Sequence, residues 1–93
     1  MAERKVYKLC ARVSATNAAE VSKELNEISG DGTIDLVIDF EENKFISSAG
    51  LRAILTVQKK MNKGGGSAVL INVSDAVKEI FEVTGYSRFL QIE

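Results

Sequence analysis

The chain has 93 residues, 45% of them hydrophobic, and its 12 Lys and Arg against 13 Asp and Glu leave a net charge of −1. That composition suits one small domain with one modest core, and the mixed charge gives no basic field for nucleic acid or anionic lipid. One cysteine and no histidine exclude an internal disulfide, the usual zinc sets and any serine–histidine nucleophile pair.

No apolar run approaches the ~18 residues of a membrane span. The opening Met1-Ala2-Glu3-Arg4-Lys5 meets charge at once and has no secretory h-region. The expectation is a cytoplasmic protein with no membrane partner, no nucleic-acid partner, no cofactor and no metal.

Residues 5–13 alternate loosely, with Val6, Leu9 and Ala11 set against Lys5, Lys8 and Arg12, and predict a first strand beginning near Val6. Cys10 reads as a small core residue. Ser14-Ala15-Thr16-Asn17 is a polar turn, with Asn17 as N-cap and Glu20 placed to complete a capping box. Val21, Leu25 and Ile28 form the apolar stripe of a first helix, which Gly30-Asp31-Gly32 ends. Residues 33–40 are β-branched and apolar and predict a central strand covered on both faces. Asp35 reads as solvated at a strand edge or end, and Asp39 as a strand-end residue bonding loop amides.

A polar loop over 41–44 leads into Phe45-Ile46-Ser47-Ser48-Ala49-Gly50-Leu51. Leu51, Ile54, Leu55 and Gln58 recur at helical spacing, so a second helix runs from Ser48 to about Lys63 with Arg52, Lys59 and Lys60 outside. Ser47 or Ser48 stands at its N-cap. The free amides and the helix dipole there tolerate an anion. Gly64-Gly65-Gly66 stops the helix, and it is no phosphate loop, because no Gly-Lys-Ser/Thr follows. Residues 67–73 form the next strand. Ser74 caps a third helix with Asp75 in its first turn. Val77, Ile80, Phe81 and Thr84 form its inner stripe, Gly85 ends it, and 89–92 make a last short strand. The alternation predicts an α/β fold: a single small domain over residues 1–93, with a mostly parallel (mixed) sheet of about four strands.

In this order the segments resemble the STAS domain, and more narrowly the bacterial anti-sigma factor antagonists. The strongest part is Leu36-Val37-Ile38-Asp39-Phe40 followed by Phe45-Ile46-Ser47-Ser48-Ala49-Gly50-Leu51. Ala15-Thr16-Asn17-Ala18, Gly64-Gly65-Gly66 and Val83-Thr84-Gly85-Tyr86 support it. The resemblance implies a non-enzymatic, phosphorylation-switched binding protein. Its partners would be an anti-sigma factor that is itself a serine kinase, bound in the unphosphorylated state so that the sigma factor is released, and a serine phosphatase. Aligned on Gly50-Leu51, the phosphorylated serine is Ser48. The expected partner surface comprises Ser47, Ser48, Ala49, Gly50, Arg52 and Asp39. The chain has Ser47 where the family pattern has Asp, Ala49 where it has Ser or Thr, and Ser14 where many relatives carry Asp.

Two other readings compete. One is a STAS scaffold or adaptor that is never phosphorylated, in another signalling or lipid-handling system; Ser47 in place of Asp favours it. The other makes Ser48 a nucleophile, which without histidine needs a desolvated lysine such as Lys44 as base.

Overall fold

The computed structural model describes residues 3–93, over which strands and helices alternate. These are β1 (Arg4–Lys8), β2 (Arg12–Val13), α1 (Ala18–Ser29), β3 (Asp35–Asp39), β4 (Phe45–Ile46), α2 (Ser48–Gly64), β5 (Ser67–Ile71), α3 (Asp75–Thr84) and β6 (Gln91–Ile92), with a 3-10 turn over Tyr86–Arg88. Four strands form a sheet in the order β1-β3-β5-β6, and each pairing is parallel. The expected α/β domain with a four-stranded, mostly parallel sheet is borne out, and among the described residues every pairing is parallel rather than mixed. A helix lies between each pair of sheet neighbours and returns the chain to the same end, as parallel pairing requires.

Register sorts the side chains by face. Tyr7 sits beside Ile38, Leu36 beside Ala68, and Ile38 beside Leu70. This face meets all three helices: Val21 and Leu25 of α1, Leu51, Ile54, Val57 and Met61 of α2, and Val77 and Phe81 of α3 complete the buried cluster. Each fully buried Leu, Ile or Phe in it contributes about 1.5–3 kcal/mol. Phe81 meets Phe40 edge-on, centroids 6.1 Å apart, an arrangement that suits the ring quadrupoles. The other face carries Arg4, Val6 and Lys8, then Asp35, Val37 and Asp39, then Ser67, Val69 and Ile71. Only β3 is buried there, at Val37 and Asp39. The reading of a central strand covered on both faces holds for β3 and stops at its neighbours.

The first strand departs from expectation. It ends at Lys8, and β2 is a separate two-residue strand paired with β4. Tyr7 and Leu9 share the inward phase, so Val6 points out and is 54% exposed. Ala11 is exposed as well. Cys10 is exposed between the two strands, its thiol directed at Arg12 O (3.4 Å), and is not a core residue.

Asn17 precedes α1 but makes no capping bond. Its Oδ1 accepts from Ser14 N–H (2.7 Å) and its Nδ2 donates to Arg12 O (2.9 Å). With that acceptor occupied by the turn, the expected capping box does not form. Thr84 is exposed and not on the inner stripe of α3; its hydroxyl donates to Ile80 O (2.8 Å). The last strand shortens to Gln91–Ile92, because Leu90 turns inward from the preceding 3-10 turn while Phe89 stays exposed.

Candidate functional site at the start of α2

The path from β3 to α2 is pinned at successive points. Phe40 N–H donates to Ile71 O (2.9 Å) and Asn43 N–H to Phe40 O (3.0 Å). Asn43 is 1% exposed, and its Nδ2 donates to Cys10 O (2.8 Å) and Phe45 O (3.1 Å), tying this loop to the β1–β2 connection. Lys44 N–H then reaches Ala11 O, β4 pairs with β2, and Ser47 N–H donates to Val13 O (2.8 Å). The Arg12 guanidinium lies 4.5 Å over the Phe45 ring, which favours the cation electrostatically. Nothing in the local sequence reveals this Arg12–Phe45 pair, because neither two-residue strand has a periodicity of its own.

Ser47 leaves this corner extended (φ −78°, ψ 169°), and its Oγ accepts from Gly50 N–H at 3.2 Å. It is the N-cap, worth about 1 kcal/mol. Ser48 is the first helical residue. It and Ala49 are exposed, whereas Gly50 is buried. A Cβ on Gly50 would lie 2.6 Å from Val13 Cγ1 and 2.7 Å from Ile46 Cγ1, so only glycine lets α2 press on the β2–β4 pair. Arg52 is exposed one turn on and lines a shallow groove between α1 and α2 with Ala15, Ala19, Ser22 and Ala49.

The structure thus gathers Ser47, Ser48, Ala49, Gly50 and Arg52 on the opening turns of α2. Asp39 is committed elsewhere. Its Oδ1 accepts from Asn72 Nδ2 (3.0 Å) and from Glu41 N–H (2.9 Å). These bonds, Asn72's first and with a smaller contribution from Lys8, hold its carboxyl below the usual aspartate range. Asn72 itself adopts a left-handed conformation (φ 56°) in the turn after β5, which asparagine tolerates better than most residues. Asp35 is half-buried and accepts from Ser67 Oγ (2.9 Å), so it is bonded within the sheet and not simply solvated.

Chemically, the corner offers a neutral hydroxyl on a helix terminus whose first amides have no intrahelical acceptor. Lys44 is exposed, so the desolvation that would make it a base for Ser48 is missing. Among the described residues no cluster of His, Cys, Asp or Glu could hold a metal ion, and no helix is long and apolar enough to cross a membrane.

Residues 3–93 match the family model of the STAS domain. BtrV of Bordetella bronchiseptica, described as a candidate anti-sigma factor antagonist, is 35% identical over 74 residues, covering 80% of this chain. The chain spans 64% of that relative's length. The anti-sigma-B factor antagonist of Staphylococcus aureus is 26% identical over 73 residues, 78% of this chain and 68% of the relative. Among solved structures, the Bacillus cell fate determinant SpoIIAA in its phosphorylated form superposes with a TM-score of 0.74 at 17% identity, covering 100% of this chain and 85% of that one.

Proposed function

The chain belongs to the STAS domain family, and on that premise we propose that it is a cytoplasmic anti-sigma factor antagonist that binds an anti-sigma factor until Ser48 is phosphorylated. Anti-sigma factor antagonists are regulators and not enzymes. The observation that carries the reading is the division of labour between the two serines. Ser47 spends its hydroxyl on the cap, while Ser48 is exposed on the same turn and its hydroxyl makes no hydrogen bond among the described residues.

A phosphate there adds about −1.5 to −2 charges. The helix dipole and the free amides stabilise it locally, and the Ser47 cap and the Gly50 contact hold the turn on its other side. A partner surface shaped for a neutral hydroxyl would meet an anion and bear its desolvation cost. Modification at Ser48 is therefore expected to weaken partner binding while leaving the fold intact. The partner is an anti-sigma factor with serine kinase activity, and a serine phosphatase restores the binding form. Ala49, Arg52 and the Ser47–Gly50 turn form the contact surface.

Phosphopeptide mapping after incubation with the cognate kinase tests this. Label is expected on Ser48, lost in Ser48→Ala and retained in Ser47→Ala; label mainly on another residue overturns the assignment. Ser47 in place of the family's Asp favours the second reading, a STAS adaptor that is never phosphorylated. Protein from its native cell free of phosphoserine in every growth state would support that one.

A further inference from the structure

The outer edge of β1 has no strand beside it among the described residues. Two bonds set the phase of that edge: Asp35 N–H donates to Glu3 O (2.8 Å), and Leu9 N–H donates to Asp39 O (2.9 Å). Along a strand, alternate residues turn both backbone groups to the same side. Glu3, Lys5, Tyr7 and Leu9 therefore face β3, and Arg4, Val6 and Lys8 direct their N–H and C=O groups outward. The side chains of these three stand together on the sheet face away from the helical layer, all exposed, with the β-branched Val6 between two cations.

The inner side of β1 shows what this row accepts. In register, Arg4 lies beside Asp35, Val6 beside Val37 and Lys8 beside Asp39. The neighbour is acid, apolar, acid at alternate positions. Both carboxylates of β3 are already bonded, Asp35 by Ser67 and Asp39 by Asn72 and the Glu41 amide. A second copy of the chain fits the outer edge badly. Antiparallel β1–β1 pairing centred on Val6 would place Arg4 of each copy opposite Lys8 of the other, giving two like-charge cross-strand pairs. Bare edges with exposed apolar residues are templates for strand addition.

We propose that the outer edge of β1 accepts an extended segment of a partner protein bearing acidic, apolar and acidic side chains at alternate positions, opposite Arg4, Val6 and Lys8. The site repeats on the outside the pattern that β3 presents on the inside. It does not depend on Ser48 and lies on a different element.

The probe is a blocked peptide, Thr-Glu-Thr-Val-Thr-Glu-Thr, added to isotopically labelled protein and followed by amide NMR and hydrogen exchange. Protection is expected to rise at Arg4, Val6 and Lys8 and to stay unchanged at Lys5 and Tyr7, whose amides already face β3. The same peptide with Lys for Glu should bind roughly tenfold more weakly, because both cross-strand pairs with Arg4 and Lys8 turn from opposite to like charge. Val6→Pro removes only an outward N–H, which an edge strand tolerates, and should abolish the protection. Should that variant fail to fold, methylating the peptide's central Val nitrogen removes the reciprocal bond, donated to Val6 O in an antiparallel pairing, and should likewise abolish the protection. Silence at the three amides, equal binding of the two peptides, or self-association through this edge overturns the proposal.

Discussion

The two ends of α2 are both built around glycine, and they use it differently. At the C-terminal end, a Cβ on Gly64 would lie 2.5 Å from Gly32 O, and one on Gly66 would collide with the Ile34 carbonyl. Backbone meets backbone there, and the helix end is consumed by packing against the α1–β3 connection. At the N-terminal end Gly50 meets the side chains of Val13 and Ile46, while Ser48 and Ala49 remain in water. Packing takes one side of that turn and leaves a hydroxyl on the other. A charge can therefore be added at Ser48 without disturbing the core contact that holds the turn.

The largest effect should come from filling the closed end. Gly64→Ala is expected to cost about 2–4 kcal/mol, because a carbonyl cannot rotate away from the new methyl. Gly50→Ala should cost about 1–3 kcal/mol, because Val13 and Ile46 can move at the expense of overpacking. Chemical denaturation of the two variants measures the difference, and equal losses would erase the contrast between the ends.

A smaller effect separates the two serines. Ser47→Ala should lose about 1 kcal/mol with the cap, whereas Ser48→Ala should stay within about 0.5 kcal/mol of the parent. Thermal unfolding reads both; a matching loss at Ser48 would mean that its hydroxyl is part of the fold and not spare for a partner.

The smallest effect concerns Asp39, whose carboxyl is held low mainly by Asn72. A carboxylate with a depressed folded pKa adds stability above its unfolded pKa and loses it as pH falls through the folded one. Asn72→Gly keeps the left-handed turn and removes the donor. It should raise the Asp39 pKa toward the ordinary aspartate value and flatten that part of the acid-induced loss, as carboxyl NMR titration would show. Labelling of Ser48 should not change, since Asp39 is anchored to the turn after β5; a change would mean that the two regions act as one surface.

Much of this arrangement was legible in the residues. Ser47 and Ser74 cap the helices they precede, with Ser74 Oγ accepting from Val77 N–H at 3.3 Å, and Gly65 and Gly85 close α2 and α3 in left-handed conformations. The stripe of Leu51, Ile54 and Gln58 is buried, with Leu55 at its margin. Asn17 carried the same local signal as Ser47 and failed, because Ser14 and Arg12 had the stronger geometric claim on its amide. Grouping Val6 with Leu9 does not survive folding, because residues three apart on a strand lie on opposite faces, and Val6 is exposed while Leu9 is buried.

Caps, helix stripes and glycine stops were settled by the order of residues, because each depends on neighbours within a turn or two of the chain. The inward phase of β1, the exposure of Cys10, the tie from Asp39 to Asn72 and the pairing of Arg12–Val13 with Phe45–Ile46 were decided only on folding. Each of those depends on a partner distant in sequence, and a two-residue strand has no pattern of its own until that partner lies beside it.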